Sequence, residues 1–317
     1  MSGKILVTGA TGFTGGFVCQ ELWKRGIAFD CLVRASSHTQ QLESLGVKLV
    51  EANLDELESL YRVFPGYQAL INIASIGFGA APKIVEACEN SGIRRAVFVS
   101  TTAIFTRLNA QSKAVRQAAE AAIINSNLDY TILRPTMIYG TPSDRNMIRL
   151  LRLIEKSPII PVLGEGKSLQ QPVHVEDVAW AICEVLNSAQ TYRREYNISG
   201  GQVLSYNEVI EVASQALAKQ PLLLHLPTKL SVKLIKIANT LGIKTPVSAE
   251  QVLRLNEDKV FEHTAAKKDF NYSPRLFTEG IAQEVAIHKA GGRRQEAGGR
   301  RQEAEGRRQK AGDSKES

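Results

Sequence analysis

The sequence predicts an α/β fold organised on a doubly wound parallel sheet, and three observations predict it. Short apolar runs at residues 5–7, 28–33, 47–52, 69–74 and 96–99 have the length of buried strands. Helical periodicity fills the stretches between them, and strands alternating with helices at this spacing give a parallel sheet. Glycines 9, 12 and 15 stand between the first run and the first helical pattern.

The first strand, Ile5-Leu6-Val7, leads through Thr8 into Gly9-Ala10-Thr11-Gly12-Phe13-Thr14-Gly15-Gly16. Phe13, Phe17, Val18 and Leu22 then share one side of a helix that Gly26 stops. Strand, glycine turn and helix in this order form the context of a dinucleotide fingerprint. Gly9 would permit the tight turn, Gly12 the approach of a pyrophosphate and Gly15 the packing of helix on strand. The turn, with Thr11 and Phe13, is therefore the expected cofactor cradle, its helix N-terminus facing the phosphates.

The second strand ends at Arg34, where an acidic residue would hold a ribose 2′-hydroxyl. A guanidinium there suits a 2′-phosphate instead, so NADP is the expected cofactor, with NAD as the alternative. The alternative for Arg34 is a solvated surface arginine. Asn53 and Leu54, after the third strand, would lie against the adenine, and Ala74-Ser75 is a small-residue exit from the fourth. Pro82 opens the next helix and Gly92 closes it. The ligand crevice is expected at the carboxyl ends of the strands.

Composition narrows the function classes. The 317 residues are 44% hydrophobic and 22% charged, values of a globular chain able to bury a sizeable core. No basic-then-apolar leader precedes the first strand and no apolar run approaches a spanning length, so a cytoplasmic location without a transmembrane segment is expected. Cys19, Cys31, Cys88 and Cys183 form no CxxC pair and read as core residues in a reducing compartment. The five histidines have no metal-ligand spacing, and no metal site is expected. The net charge of +7 is concentrated at the end: from Lys289 onward there are nine Lys/Arg against five Asp/Glu. The body is then only mildly basic, and no nucleic-acid partner is expected.

Several further motifs carry a resemblance. Val99-Ser100-Thr101-Thr102, Leu133-Arg134-Pro135-Thr136-Met137-Ile138-Tyr139-Gly140, Gln171-Pro172-Val173-His174-Val175-Glu176-Asp177-Val178-Ala179 and Tyr196-Asn197-Ile198-Ser199-Gly200-Gly201 follow the fingerprint in order. Over roughly residues 3–285 the chain resembles the short-chain dehydrogenase/reductase superfamily. The likeness is to its extended branch of NAD-dependent epimerase/dehydratases and the atypical members related to it. The resemblance implies a Rossmann sheet, a small C-terminal substrate lobe, and a Ser or Thr after the fifth strand that hydrogen-bonds the substrate oxygen. Thr102 matches that hydroxyl, with Ser100 and Thr101 as neighbours.

The family's Tyr-x-x-x-Lys pair is incomplete here. If Lys113 is its lysine, Asn109 stands at the tyrosine position; aligned on Glu120, the pair becomes Ser112 and Arg116. The tyrosine is absent in both registers, and a positioned acid–base contributes about 10²–10⁴-fold. Asn109, Lys113, Arg116 and Glu120 share a helical face, which is either a polar wall of the site or a solvated side. Tyr139 is the nearest substitute acid, because the family's Arg-Pro loop, here with Pro135, approaches the nicotinamide; its alternative role is packing. Lys113 could instead hold only the nicotinamide ribose.

Residues 146–155 are amphipathic, 157–164 read as an irregular crossing, and 177–186, 205–219 and 228–241 read as helices. The last pattern is apolar through Leu230, Leu234, Ile237 and Leu241 and basic through Lys229, Lys233 and Lys236. From Ala290 the chain repeats AGGRRQE, AGGRRQE, AEGRRQK, whose charge and glycine pairs predict a disordered tail. The expected division is a cofactor domain over 1–170 with returning segments from 171–200, a substrate lobe over 171–288, and the tail over 289–317. Two functions fit these residues. One is an NADP-preferring oxidoreductase or epimerase acting on a small carbonyl or nucleotide-sugar-like substrate. The other is a redox-silent NADPH binder with a protein partner, in the manner of NmrA-like regulators and respiratory complex I accessory subunits.

Overall fold

The computed structural model describes residues 4–108, 111–229, 231–233, 235 and 249–291. The first half alternates strand and helix: β1 (Ile5–Thr8), α1 (Phe13–Lys24), β2 (Phe29–Val33), α2 (Gln40–Glu43), β3 (Lys48–Glu51), α3 (Leu57–Val63), β4 (Ala69–Asn72), α4 (Ala81–Asn90), β5 (Arg95–Val99), α5 (Gln111–Ile124) and β6 (Asp129–Pro135). There follow β7 (Ile138–Tyr139), α6 (Met147–Lys156), β8 (Ile159–Leu163), β9 (Leu169–Gln170), β10 (Val173–His174), α7 (Val175–Asn187), β11 (Arg194–Ile198), β12 (Leu204–Ser205), α8 (Tyr206–Leu217), β13 (Leu222–Leu226), α9 (Ala249–Leu255), α10 (Thr264–Phe270) and a last helix, α11, over 277–291.

Seven strands make one parallel sheet in the order β3-β2-β1-β4-β5-β6-β11. The order reverses direction between β1 and β4, the switch point at which an open α/β sheet leaves a crevice. The strands alternate their side chains between two apolar layers. Ile5 and Val7 pack with Val18, Leu22, Val178 and Ile182 on the α1/α7 face. Leu6 packs with Leu60, Leu70, Ile84, Phe98 and Ile123 on the α3/α4/α5 face. Burial on both faces is why these strands read as continuous apolar runs. The doubly wound fold is as the sequence predicts, with strand ends displaced by one or two residues.

A third core joins Met147, Leu151 and Ile154 of α6, Ile160 and Val162 of β8, Val209 and Ile210 of α8, and Phe277, Ile281 and Val285 of α11. This core draws on both sides of residue 170. Residues 159–163, expected as an irregular crossing, are a strand paired in parallel with β13. Ile160 and Val162 point inward and Ile159 and Pro161 outward, the period of a strand. The pair has only two strands, so the missing N–H of Pro161 can face an open edge.

Of the helix expected over 228–241, residues 228, 229, 231–233 and 235 are described; Ser231 and Ile235 are buried while Lys229 and Lys233 are exposed. The remainder lies outside the described residues, as do Asn109 and the repeats from residue 292. α11 continues to residue 291, three positions into the segment expected as tail. Among the described residues no helix is long and apolar enough to cross a membrane.

Candidate functional site

A cleft of about 1130 Å³ opens at the carboxyl ends of the central strands. Its floor is the glycine turn. Gly9 has φ +71, and a Cβ there would strike the backbone nitrogen of Ala74; a Cβ on Gly15 would strike the Gly9 carbonyl. Both glycines are therefore enforced by packing. Gly12 differs: a Cβ on it would meet only the Gly9 oxygen, at 3.2 Å, so its other side is open. Gly12 is also the N-cap of α1, with no side-chain cap and no acidic residue in the first turn. The first-turn amides have no carbonyl of their own helix to accept from them, and Phe13, Thr14 and Gly15 line the cleft. This cradle suits a pyrophosphate. Beneath it, Thr8 Oγ1 donates to Asn72 Oδ1 at 2.7 Å, and Asn72 Nδ2 donates to the Ala74 carbonyl at 2.9 Å, locking β1 to β4 at the switch point.

The remaining expected cofactor residues are distributed around this floor. Thr11 is exposed beside the turn, and Arg34 is exposed at the end of β2. Asn53 is engaged locally: its Nδ2 donates to Glu56 and its Oδ1 accepts from the Asp55 amide. Leu54 packs on the α3/α4 core. Ala74 meets the turn through its backbone rather than through the cleft wall.

The far wall begins after β5. Ser100, Thr101 and Thr102 all line the cleft. Thr102 Oγ1 donates to the Pro135 carbonyl at 3.3 Å, which is how Pro135 enters the site. Ser100 Oγ is buried with no partner among the described residues. Thr136 and Met137 follow Pro135 along the wall, Thr136 Oγ1 donating to the Gln171 carbonyl at 2.5 Å.

Two expected catalytic side chains stand elsewhere. Lys113 Nζ donates to the Thr106 carbonyl at 2.6 Å and does not line the cleft, whereas Arg116, three residues on, does. The register that aligns Glu120 thus fits the geometry: Glu120 is buried and receives a forked pair from Arg134 at 2.5 to 3.0 Å. Tyr139 is 1% exposed, packed edge-on against His174 and Phe277 in the third core. Burial pushes its phenol up from the usual range, opposite to what a proton carrier at neutral pH needs. Tyr139, expected from the family's Arg-Pro loop to approach the nicotinamide, stands instead on β7, which turns its ring into the core.

The wall that sequence reasoning missed is residues 254–261. Glu257 accepts from Thr106 Oγ1 at 2.6 Å and from the Arg107 amide at 2.9 Å. Asp258 Oδ1 accepts from the Leu169 amide at 2.7 Å, and the Lys259 amide donates to the Leu169 carbonyl at 2.7 Å. The Phe261 amide donates to Gln171 Oε1 at 3.0 Å, and its ring lies 5.5 Å from that of Phe105. Arg254 and Lys259 of this wall, with Arg107, Arg116 and Arg145 elsewhere around the cavity, make the cleft basic. No spacing rule links residue 257 to residue 106, so only the fold brings them together.

Comparison with known proteins agrees with this geometry. The model of the NAD(P)H-binding family matches residues 9–189, and the chain belongs to that family. The chain is 26% identical over 315 residues to the mitochondrial NADH dehydrogenase (ubiquinone) 1 alpha subcomplex subunit 9 of Arabidopsis thaliana, covering 90% of this chain and 78% of that protein. It is 27% identical over 237 residues to the ceramide reductase of Caulobacter vibrioides, covering 71% of this chain and 74% of that protein. In structure it is similar to the UDP-glucose 4-epimerase of Thermotoga maritima, with a TM-score of 0.71, 16% identity and coverage of 91% of this chain and 99% of that one. The fold is that of the extended short-chain dehydrogenase/reductases and NAD-dependent epimerases.

Proposed function

We propose that this chain is an NADP(H)-dependent oxidoreductase acting on a carbonyl or nucleotide-sugar-like substrate, with Thr102 holding the substrate oxygen. The observation that carries the reading is the open cleft. A chain that kept a dinucleotide only for structure would fill the space beyond the glycine turn with large side chains. Here Phe78 is 84% exposed and turned away, while Phe105 and Met137 border a continuous cavity instead of plugging it.

Gly9, Gly12, Phe13 and Gly15 would hold the pyrophosphate, and Thr11 flanks it. Arg34, at the end of β2, would reach a 2′-phosphate, and Asn53 and Leu54 would border the adenine. Bound NADPH would supply hydride; the chain supplies position and charge. Thr102 would meet the substrate oxygen, with Ser100 and Thr101 beside it, and residues 254–261 would close the site from the substrate side. We take 147–163, 204–223 and 277–285 as the core of the substrate lobe, because they share one apolar cluster. A cytoplasmic location is our working assumption.

A redox-silent NADPH binder is the second reading, favoured by one observation: no tyrosine lines the cleft among the described residues. Similarity to a subunit of a mitochondrial complex gives that reading a protein partner. Binding and turnover separate the two. An oxidoreductase binds NADPH and consumes it when a carbonyl substrate is added; a silent binder holds NADPH and consumes none.

A further inference from the structure

The missing phenol leaves the cleft without an obvious proton source, and its lining residues identify another. Among the described residues that line it there is no histidine, cysteine or tyrosine. Arg107, Arg116, Arg145 and Arg254 hold their protons too strongly to pass one on. The hydroxyls of Ser100, Thr101 and Thr102 can relay a proton but do not ionise. Glu257 and Asp258 act as acceptors, to Thr106 and Arg107 and to Leu169 respectively. One further titratable residue lines the cleft: Lys259.

Its position is fixed rather than incidental. The Lys259 amide donates to the Leu169 carbonyl at 2.7 Å, and Lys259 bridges Gln170 in parallel register. The next residue, Gln171, accepts Thr136 Oγ1 at its carbonyl and the Phe261 amide at its side chain. Thr136 directly follows Pro135, whose carbonyl takes the Thr102 hydroxyl. Lys259 and Thr102 therefore lie on two segments stapled to each other and open to the same cavity. We propose that Lys259 is the proton carrier of this site, giving its ammonium proton to the carbonyl oxygen of the bound substrate.

The proposal rests on the oxidoreductase reading. In the reduction, the carbonyl carbon gains hydride supplied by NADPH and the π electron pair moves to oxygen. That oxygen takes the proton from Lys259 Nζ, leaving an alcohol, NADP⁺ and a neutral amine that water reprotonates. In the oxidation each transfer reverses. Burial pushes the Lys259 ammonium below the usual lysine range; Glu257 opposes that shift and Arg254 adds to it, so the side chain is a better acid than a solvated lysine.

The test uses the full-length protein with NADPH, with acetoacetate and phenanthrenequinone as carbonyl probes. Lys259→Ala is expected to lower kcat by about 10²–10⁴-fold with NADPH affinity unchanged. Methylamine should restore part of that rate, and Lys259→Arg should not, because a guanidinium keeps the charge and withholds the proton. A second readout needs no turnover. Lysines dimethylated with isotope-labelled formaldehyde should show one NMR resonance that titrates below the rest and is missing from Lys259→Arg.

A wild-type rate in Lys259→Ala, a restored rate in Lys259→Arg, or a Lys259 resonance that titrates with the bulk would each overturn the proposal while the oxidoreductase reading stands. NADPH bound by the wild type and consumed neither with these probes nor with any of a panel of carbonyl compounds and nucleotide sugars would overturn that reading and the proposal with it.

Discussion

Glu257 and Thr106, 151 positions apart in sequence, are joined by a 2.6 Å hydrogen bond from the threonine hydroxyl to the carboxylate. The same carboxylate accepts from the Arg107 amide at 2.9 Å, and Lys113 Nζ donates to the Thr106 carbonyl at 2.6 Å. The turn after β5, which follows directly on Thr102, is thus gripped from two sides. Lys113 is better described as a support of this turn than as a cleft residue.

Breaking that grip has a readable cost. Hydrogen bonds to a charged acceptor contribute about 1.5–3 kcal/mol each, less where water reaches them. Glu257→Ala should therefore lower the unfolding free energy by about 2 kcal/mol in urea titrations. Cleavage by a non-specific protease should rise within 256–261. Thr106→Val, which keeps the Arg107 amide bond, should lose about half as much.

The three glycines of the turn should separate by phenotype. Gly9→Ala and Gly15→Ala place a methyl against backbone and should lower the melting temperature or prevent folding. Gly12→Ala meets only one oxygen, at 3.2 Å, and should fold normally. It should weaken NADPH binding by roughly tenfold or more, about 1.4 kcal/mol, in a fluorescence titration. Equal effects at all three positions would contradict the assignment of Gly12 to the pyrophosphate.

Arg34 sets the choice between the two dinucleotides in our reading. Arg34→Glu should weaken NADPH and spare or improve NADH, since a carboxylate repels a 2′-phosphate and accepts from a 2′-hydroxyl. The ratio of the two dissociation constants, from the same titration, should invert. An unchanged ratio would make Arg34 a solvated surface residue.

Stability should depend on pH in a way two buried groups dictate. Burial, with the Asp144 carboxyl beside it, raises Glu284 to about 9, although the Gly140 amide pulls it down. Burial lowers His174 to about 4, helped by Arg275 and opposed by Glu176 and Asp177. Glu284 keeps its proton in the fold and loses it when unfolded, so its contribution falls with pH from about 4.5 to about 9. His174 is neutral in the fold and charged when unfolded, so its contribution rises from about 4 to about 6.5. Between about 4.5 and 6.5 these two oppose each other, and of the pair only the glutamate acts above that range. The glutamate's contribution should decline towards pH 9, and Glu284→Gln should remove that decline. Urea midpoints measured across that range check both halves.

The fold was legible because a parallel sheet buried on both faces writes its strands as apolar runs, and because Gly9 and Gly15 are demanded by backbone contact. The site was legible only in part. That Ser100, Thr101 and Thr102 line the cleft could be read from their place after β5, since position along a buried strand fixes where the next residues emerge. Tyr139 could not, because the direction of one ring depends on β7 pairing with β10. Which of Lys113 and Arg116 borders the cleft depends on helix rotation, and here Arg116 lines it while Lys113 turns to the Thr106 carbonyl. Residues 257–261 carry no motif, and their place follows from long-range bonds to Thr106, Leu169 and Gln171.

The most direct measurement is the fluorescence of protein-bound NADPH after addition of a panel of carbonyl compounds and nucleotide sugars, with Thr102→Ala beside the wild type. Our account predicts that the signal decays in the wild type and persists in Thr102→Ala, with equal NADPH affinity in both. Tight binding with no decay on any compound would contradict it and leave a chain that holds its dinucleotide without using it.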